Sequence, residues 1–351
     1  MSVGIDLGAI TSSVGFWENG RIHVNSIPSH VTFTDTQCLV GSEAAENLRN
    51  SIFDFKRLLG CKFRDYTVQS NIGHWPFDVV GSKLSGKPLI QIDGRQFTPV
   101  EIASMVLEKL RENSGVSDSK AVVTVPFHFN RSQRNAVKKA ATAAGFKVLR
   151  VIDDPTAAAI AYGLEKGNGK IIVIDVGATA SLVSLLTVNK GKVKVVATRG
   201  NHVLGGREFD QCLVDYCVKE HLSQTNIYGD RVAMYRLAAA CEQAKCELSV
   251  SEQLTIESLG IGLYVPITRT QFETLCHGLV HLILGLVKSV LSTSNTDKSQ
   301  ISAIVMTGGS SCIPIVQATV SEYFNGKELS NSIDPNIVVA HGATILAGNL
   351  G

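Results

Sequence analysis

Apolar and polar positions alternate with period two through "VGIDLG", "TSSVGFW" and "RIHVNSI", and "ENG" (18–20) falls between the last two. The pattern predicts strand, turn, strand, turn, strand at the start of the chain. The same plan returns in "IIVIDVG", "ASLVSLLTV" and "KVKVVAT", with "NKG" (189–191) as its second turn. Each copy carries an Asp-x-Gly at the same place, Asp6 in the first and Asp175 in the second. Strand pattern and polar positions recur together, which predicts an internal duplication of a supersecondary unit.

Between and after the copies, strands alternate with helices. "PVEIASMVLEKLREN" (99–113) has apolar positions at 102, 105, 106, 107 and 110, a helical stripe. "AVVTVPF" and "KVLRVI" read as strands, "SQRNAVKKAATAAG" and "PTAAAIAYGLEKG" as helices, with Gly145 suited to a left-handed helix end. Three helices are expected at 206–222, about 230–249 and 270–292, then strand "AIVMT", helix "IVQATVSEYF" and a closing helix "VVAHGATILAGNL". The fold class is α/β, with two similar sheets and a cleft between them. The segment 60–98 is an elaboration of the first lobe.

Length and composition narrow the class. A chain of 351 residues suits two lobes, and 44% apolar with 18% charged residues excludes disorder. A net charge of +2 without a Lys/Arg run gives no nucleic-acid patch. None of the eight cysteines forms a CxxC pair, so they read as free thiols in a reducing, cytoplasmic compartment. "MSVGIDLG" enters a strand without a secretory signal, and "LVHLILGLVKSVL" (279–291) is too short to span a bilayer.

Four loops have the glycine needed to bring backbone N–H groups close to an anion: "DLGAITS" (6–12), "DVGATAS" (175–181), "LGGREFD" (204–210) and "TGGSSCIP" (307–314). A single glycine pair is usually a plain turn, but four such loops, two inside duplicated hairpins, favour a nucleotide. Asp6 and Asp175 end equivalent strands and could hold a hydrated Mg²⁺; each alone reads as a turn aspartate. Asp154 before Pro155 reads locally as a helix N-cap with proline at N1, and functionally as a carboxylate that positions water. Glu242 and Lys245, three apart, are either an intrahelical ion pair or a grip on a ribose.

"GIDLG", "KRLLG", "VTVPFHFNRSQR", "DDPTAAAIAYGL", "LGGREFD", "ACEQAK", "MTGGSSCIPIVQ" and "FNGKELSNSIDP" occur in that order. Across essentially the whole chain they resemble the nucleotide-binding domain of the seventy-kilodalton heat-shock chaperones. The resemblance implies the actin-like ATPase fold: lobe I of 1–165 with the closing helix 336–351, and lobe II of 166–335. Each lobe has a duplicated ribonuclease-H-like sheet core, and ATP or ADP with Mg²⁺ lies in the cleft. It implies catalytic roles for Lys56, Asp154 and Asp175, with Asp6 and Asp175 holding Mg²⁺ through water. Nucleotide contacts would come from Gly8, Ala9, Ile10, Gly177, Ala178, Gly205 and Gly206, from Glu242, Lys245 and Ser249, and from Gly308, Gly309 and Ser310. Arg150 is similar to the arginine that meets a J-domain co-chaperone.

The chain departs from the family pattern where phosphate would sit. Ala9 and Ile10 stand for two threonines, and Ala178, Thr179, Ala180, Ser181 and Leu182 stand for Gly-Gly-Thr-Phe-Asp. Asp154 replaces a glutamate one methylene longer, and displacing a catalytic group by about 1 Å costs on the order of a hundredfold. Cys246 and Cys312 stand for two arginines that sandwich adenine, and Asn336 for an aspartate. The sequence stops at "ILAGNLG", without the peptide-binding domain of the family; a truncated piece would read the same. The first reading is a divergent member with weakened ATP binding and impaired hydrolysis, working with a J-protein and similar to the ribosome-associated type that assists a conventional chaperone. The second is an active chaperone ATPase domain. A sugar-kinase-like activity on the same fold is the weakest.

Overall fold

The structure, a computed structural model, describes residues 2–46, 51–75, 77–116, 119–221, 227 and 230–351. The chain divides into two compact units, Met1–Gly167 with Ile337–Gly351, and Asn168–Asn336.

In the first unit, β1 (Ser2–Asp6), β2 (Thr11–Glu18) and β3 (Arg21–Pro28) form an antiparallel meander. β4 (Lys120–Val125) joins β1 in parallel and β5 (Lys147–Asp153) joins β4, giving the order β5-β4-β1-β2-β3. Helix α1 (Pro99–Asn113) starts where Thr98 and Glu101 cap each other's backbone N–H groups, with Pro99 in the first turn. It buries Ile102, Ala103, Val106, Leu107 and Leu110. Helix α2 (Arg131–Ala143) is capped by Asn130, and Gly145 beyond it takes φ +90°. Helix α3 (Asp154–Ala161) follows β5 directly. Within 60–98, Asp78–Gly81, Pro88–Ile92 and Arg95–Phe97 make a small antiparallel sheet of their own.

The second unit repeats the plan. β6 (Gly169–Val176), β7 (Ser181–Asn189) and β8 (Lys192–Asn201) form the meander, and β11 (Ile301–Thr307) pairs with β6 in parallel. Both two-residue hairpin turns have positive φ at each central residue, Asn19 and Gly20 in one copy, Lys190 and Gly191 in the other. This backbone suits the right-handed twist of the flanking strands. The duplication extends to register: Asp6 lies opposite Thr124 and Ser13, and Asp175 opposite Thr307 and Leu182.

Helices α4 (Gly206–His221), α5 (Arg231–Leu248), α6 (Arg269–Thr293) and α7 (Pro314–Tyr323) complete this unit. Residue 222, the last of one expected helix, lies outside the described residues. A hairpin of β9 (Gln253–Ser258) and β10 (Leu263–Thr268) separates α5 from α6. Its strands alternate buried and exposed residues, with Ile256 and Ser258 buried on β9 and Leu263, Val265 and Ile267 on β10. Helix α6 also corrects an expectation. Thr268 and Gln271 cap it so that it begins at Arg269, ten residues before Leu279; it runs 25 residues and is long and apolar enough to cross a membrane by length and composition. One stripe of it, including Phe272, Cys276, Val280, Ile283, Val287 and Val290, is buried in the core of the unit.

The closing helix Val338–Leu350 packs on β1 and α3 at backbone distance. A Cβ on Gly342 would stand 1.8 Å from the Ala157 carbonyl oxygen and 3.0 Å from Ala161 N. Neither partner is a flexible side chain, so the substitution must push two helices apart. Gly342→Ala is expected to destabilise the fold by about 3 kcal/mol or more in denaturant unfolding. Gly278→Ala, in α6 where a Cβ meets nothing within 4 Å, should instead be neutral or stabilise by up to about 1 kcal/mol. Equal effects at the two positions would contradict this account of the helix contact.

Candidate functional site

The sequence-derived residues fall into two sets, one in each unit. In the first unit Asp6 closes β1, and its Oδ1 accepts a 3.4 Å hydrogen bond from Thr124 Oγ1. Burial raises its carboxyl above the ordinary value, against the downward pull of the Lys56 charge and of Thr124. Lys56 therefore faces Asp6 electrostatically. It sits in a single 3₁₀ turn, Phe55–Leu58, anchored by buried Phe55 and Leu58. Asp54 precedes this turn with φ +53°, and its carboxylate accepts a 2.9 Å bond from Arg57 Nε. That ion pair, which sequence reasoning missed, fixes the backbone that carries Lys56.

The loop after β1 is tied down by Ser29. Its Oγ donates to the Gly8 carbonyl at 3.0 Å and its N–H to the Ile10 carbonyl at 2.6 Å. Ala9 and Ile10 are half-buried. The capping assignment at 153–155 is corrected by one residue: Asp153 is the N-cap and Asp154 the first helical residue, with Pro155 second. Asp153 does not cap through its side chain; it pairs with Arg134 Nη2 at 2.5 Å. The strand β5 runs into α3 without a linker, which leaves Asp154 in the first turn, where a carboxylate is favoured by the helix dipole. Arg150 is exposed on β5, an edge strand.

In the second unit, the loops around Gly177, Gly205 and Gly308 converge. Gly177 N–H donates to Ala180 O, Gly206 N–H to Gly177 O and Arg207 N–H to Ala178 O, each at 2.9 Å. Gly205 N–H donates to the Glu208 carboxylate at 2.7 Å, a side chain reaching back over the first turn of α4. Ser310 Oγ donates to Gly177 O at 3.3 Å. The approach is closer than a side chain permits. A Cβ on Gly205 would lie 2.6 Å from Ala180 N, and one on Gly308 2.5 Å from Asp175 Oδ1. Gly309 is packed on Asn336, whose Oδ1 would be 2.5 Å from an added Cβ. The glycine positions are thus explained by loop-to-loop contact, and four backbone donors near Asp175 are already bonded within the protein.

Lys245 is buried, and its Nζ lies 2.8 Å from Asp210 Oδ1 and 3.4 Å from Gly206 O. Its partner is Asp210 on α4; Glu242, three residues back on its own helix, is exposed. Neither of the two local readings of the Glu242–Lys245 spacing contained this contact. Ser249 Oγ donates back to the Lys245 carbonyl at 3.3 Å. Cys246 is exposed and Cys312 half-buried, and burial raises both thiols, with the Cys246 charge also acting on Cys312. Among the described residues no group of three or more His, Cys, Asp or Glu could hold a metal by itself.

A duplicated meander, each copy joined in parallel by a further strand and each ending in an aspartate beside a glycine turn, defines an α/β protein of the actin-like ATPase class. The family described as "Hsp70 protein" matches residues 2–351, and the chain belongs to that family. It is 44% identical to Heat shock cognate 70 kDa protein 3 of Dictyostelium discoideum, over 99% of this chain and 60% of that protein. It is equally similar to Heat shock 70 kDa protein 2 of Paracoccidioides lutzii (99% and 57%) and to Heat shock 70 kDa protein of Neurospora crassa (99% and 58%). The chain therefore spans at most about 60% of the length of these relatives.

Burial lifts the Asp210 carboxyl from 3.8 to about 6, with Lys245 opposing. The folded state then holds this proton more tightly than the unfolded chain, so the contribution of Asp210 to stability is lost as pH rises from about 4 through 6. Relative to Asp210→Asn, which stays neutral, the unfolding free energy of the native chain should fall by up to about 3 kcal/mol across that window. A difference that grows with pH would mean that the Lys245 pair outweighs burial.

Proposed function

We propose that the chain is a divergent Hsp70-type nucleotide-binding domain that holds ATP weakly, hydrolyses it poorly, and acts in protein folding with a J-domain co-chaperone. The observation that carries this reading is the self-bonded loop cluster of the second unit. Gly177, Gly205, Gly206 and Arg207 direct their N–H groups to Ala180, Glu208, Gly177 and Ala178. Donors engaged in this way gain little by turning to a phosphate, because one good hydrogen bond is exchanged for another. Side chains at Ala178 and Ala180 add bulk where glycine and a hydroxyl would serve the phosphates. At the base, cysteines at 246 and 312 offer no planar cation for stacking.

Asp6 and Asp175, one in each unit, are the proposed Mg²⁺ carboxylates by resemblance to the family, acting through water, since this cation keeps several waters and takes few protein ligands. It would neutralise charge on phosphate oxygens. Lys56, whose charge acts on Asp6, is the proposed lysine that approaches the phosphates. These retained groups favour the second reading, a conventional ATPase domain. Against it stands Asp154, whose short side chain starts one residue inside α3. Exposed Arg150 on an edge strand is the proposed contact for the J-domain, in a cytoplasmic setting, and a conventional chaperone or the ribosome is a proposed further partner.

Calorimetric titration with ATP and Mg²⁺, followed by single-turnover hydrolysis, separates the readings. Weak binding, millimolar rather than micromolar, with turnover unresponsive to a J-protein is expected. Micromolar binding with J-protein-stimulated turnover would overturn the proposal. In the same titration, Ala178→Gly, Thr179→Gly and Ala180→Thr combined should tighten ATP binding at least about tenfold, equivalent to roughly 1.4 kcal/mol.

A further inference from the structure

Helix α6 turns two histidines to solvent on one face. His277 and His281 stand four residues apart, a rotation of about 40° with one turn of rise, so both rings project from the same ridge. The buried stripe runs through Cys276, Val280 and Ile283, whereas both histidines are exposed. Their ring centroids are 4.2 Å apart, with an interplanar angle of 45°. The ridge is open at its glycines. A Cβ on Gly278, between the two histidines in sequence, or on Gly285, four residues beyond His281, would meet nothing within 4 Å among the described residues.

We infer that His277 and His281 form a two-imidazole chelate for a divalent transition cation of the Ni²⁺, Cu²⁺ and Zn²⁺ class. Imidazole suits these ions, and a neutral ring offers one nitrogen lone pair to a metal. A zinc–imidazole bond is about 2.0–2.1 Å, so two rings on one ion have their coordinating nitrogens within about 4 Å of each other. Centroids 4.2 Å apart are already within that reach, and rotation about the side-chain torsions turns the nitrogens toward a common point without moving the helix. The buried stripe fixes α6 in the fold, so the entropy of bringing the two donors together is lost on folding and not on binding.

The surrounding charge suits a cation. Glu273 lies one turn before His277, and Lys288, seven residues beyond His281, is drawn over the Tyr323 ring, 5.6 Å from its centroid. Among the described residues no third His, Cys, Asp or Glu completes the set, so the remaining positions fall to water or to a donor from another molecule. The unfolded chain does not hold the rings at this spacing, so metal binding adds to the stability of the second unit. The alternative, two rings packed on each other with no metal role, predicts no affinity that depends on spacing. This inference does not depend on nucleotide binding.

The test titrates the folded chain with Ni²⁺, chosen because thiolates such as those of exposed Cys38 and Cys246 select Zn²⁺ and Cu⁺. The chain is then acylated with diethyl pyrocarbonate and mapped by mass spectrometry. His277 and His281 should be protected together, while exposed His128, with no His, Cys, Asp or Glu within four residues in sequence, stays reactive. The second bond of a chelate is intramolecular, so His277→Ala or His281→Ala should raise the Ni²⁺ concentration that half-protects the remaining ring at least about tenfold. His281→Ala combined with Leu282→His keeps two exposed rings but sets them five residues apart, about 140° round the helix, and should bind no better than His281→Ala. Protection of His128 at the same concentration as the pair, or native affinity in any of these variants, would overturn the proposal.

Discussion

Backbone-to-backbone contact closer than any side chain allows is the constraint on which both units depend. In the second unit Gly205 lies against the 178–180 loop and Gly308 against the Val176 carbonyl, and an added Cβ would be 2.6 Å from Ala180 N and 2.5 Å from Val176 O. In the first unit Gly342 brings the closing helix onto α3 in the same way. These contacts let short loops satisfy their own N–H and carbonyl groups, which in a buried place is obligatory. In the proposed reading, the hydrogen bonds that stabilise the Gly177–Gly205 cluster are also what leaves it with little to offer a phosphate.

Around that cluster the charges are arranged in one direction. Lys245, buried, is neutralised by Asp210 and donates to Gly206 O. Glu208 brings a carboxylate to Gly205 N–H at the start of α4, where the helix dipole would otherwise attract an anion. A phosphate approaching this turn meets a carboxylate already in place. In the first unit the corresponding aspartate keeps a cation opposite it, Lys56, held by the Asp54–Arg57 ion pair. The duplicated strands thus carry aspartates in the same register with different surroundings, one beside a lysine and one beside a closed glycine cluster.

Much of this was legible in the sequence because it is local. The two hairpins, their Asn19-Gly20 and Lys190-Gly191 turns, the Thr98–Glu101 cap and the closing helix follow from periodicity and turn chemistry within a few residues. The glycine positions were also legible, though as anion cradles and not as the loop-to-loop contacts they make. What was missed is not local: Asp210 pairs with Lys245 across two helices. No spacing rule reaches that far. The one-residue error at Asp153–Asp154 has a different cause. Both are aspartates, and only the engagement of Asp153 with Arg134 decides which of them stands outside the helix.

Amide hydrogen exchange at Gly177, Gly206 and Arg207, with and without saturating ATP and Mg²⁺, tests the self-satisfied loop cluster most directly. If these N–H groups are bonded within the protein, they exchange slowly without nucleotide and their protection is unchanged when it is added. Fast exchange in the nucleotide-free chain, followed by strong protection on addition of ATP and Mg²⁺, would contradict the account.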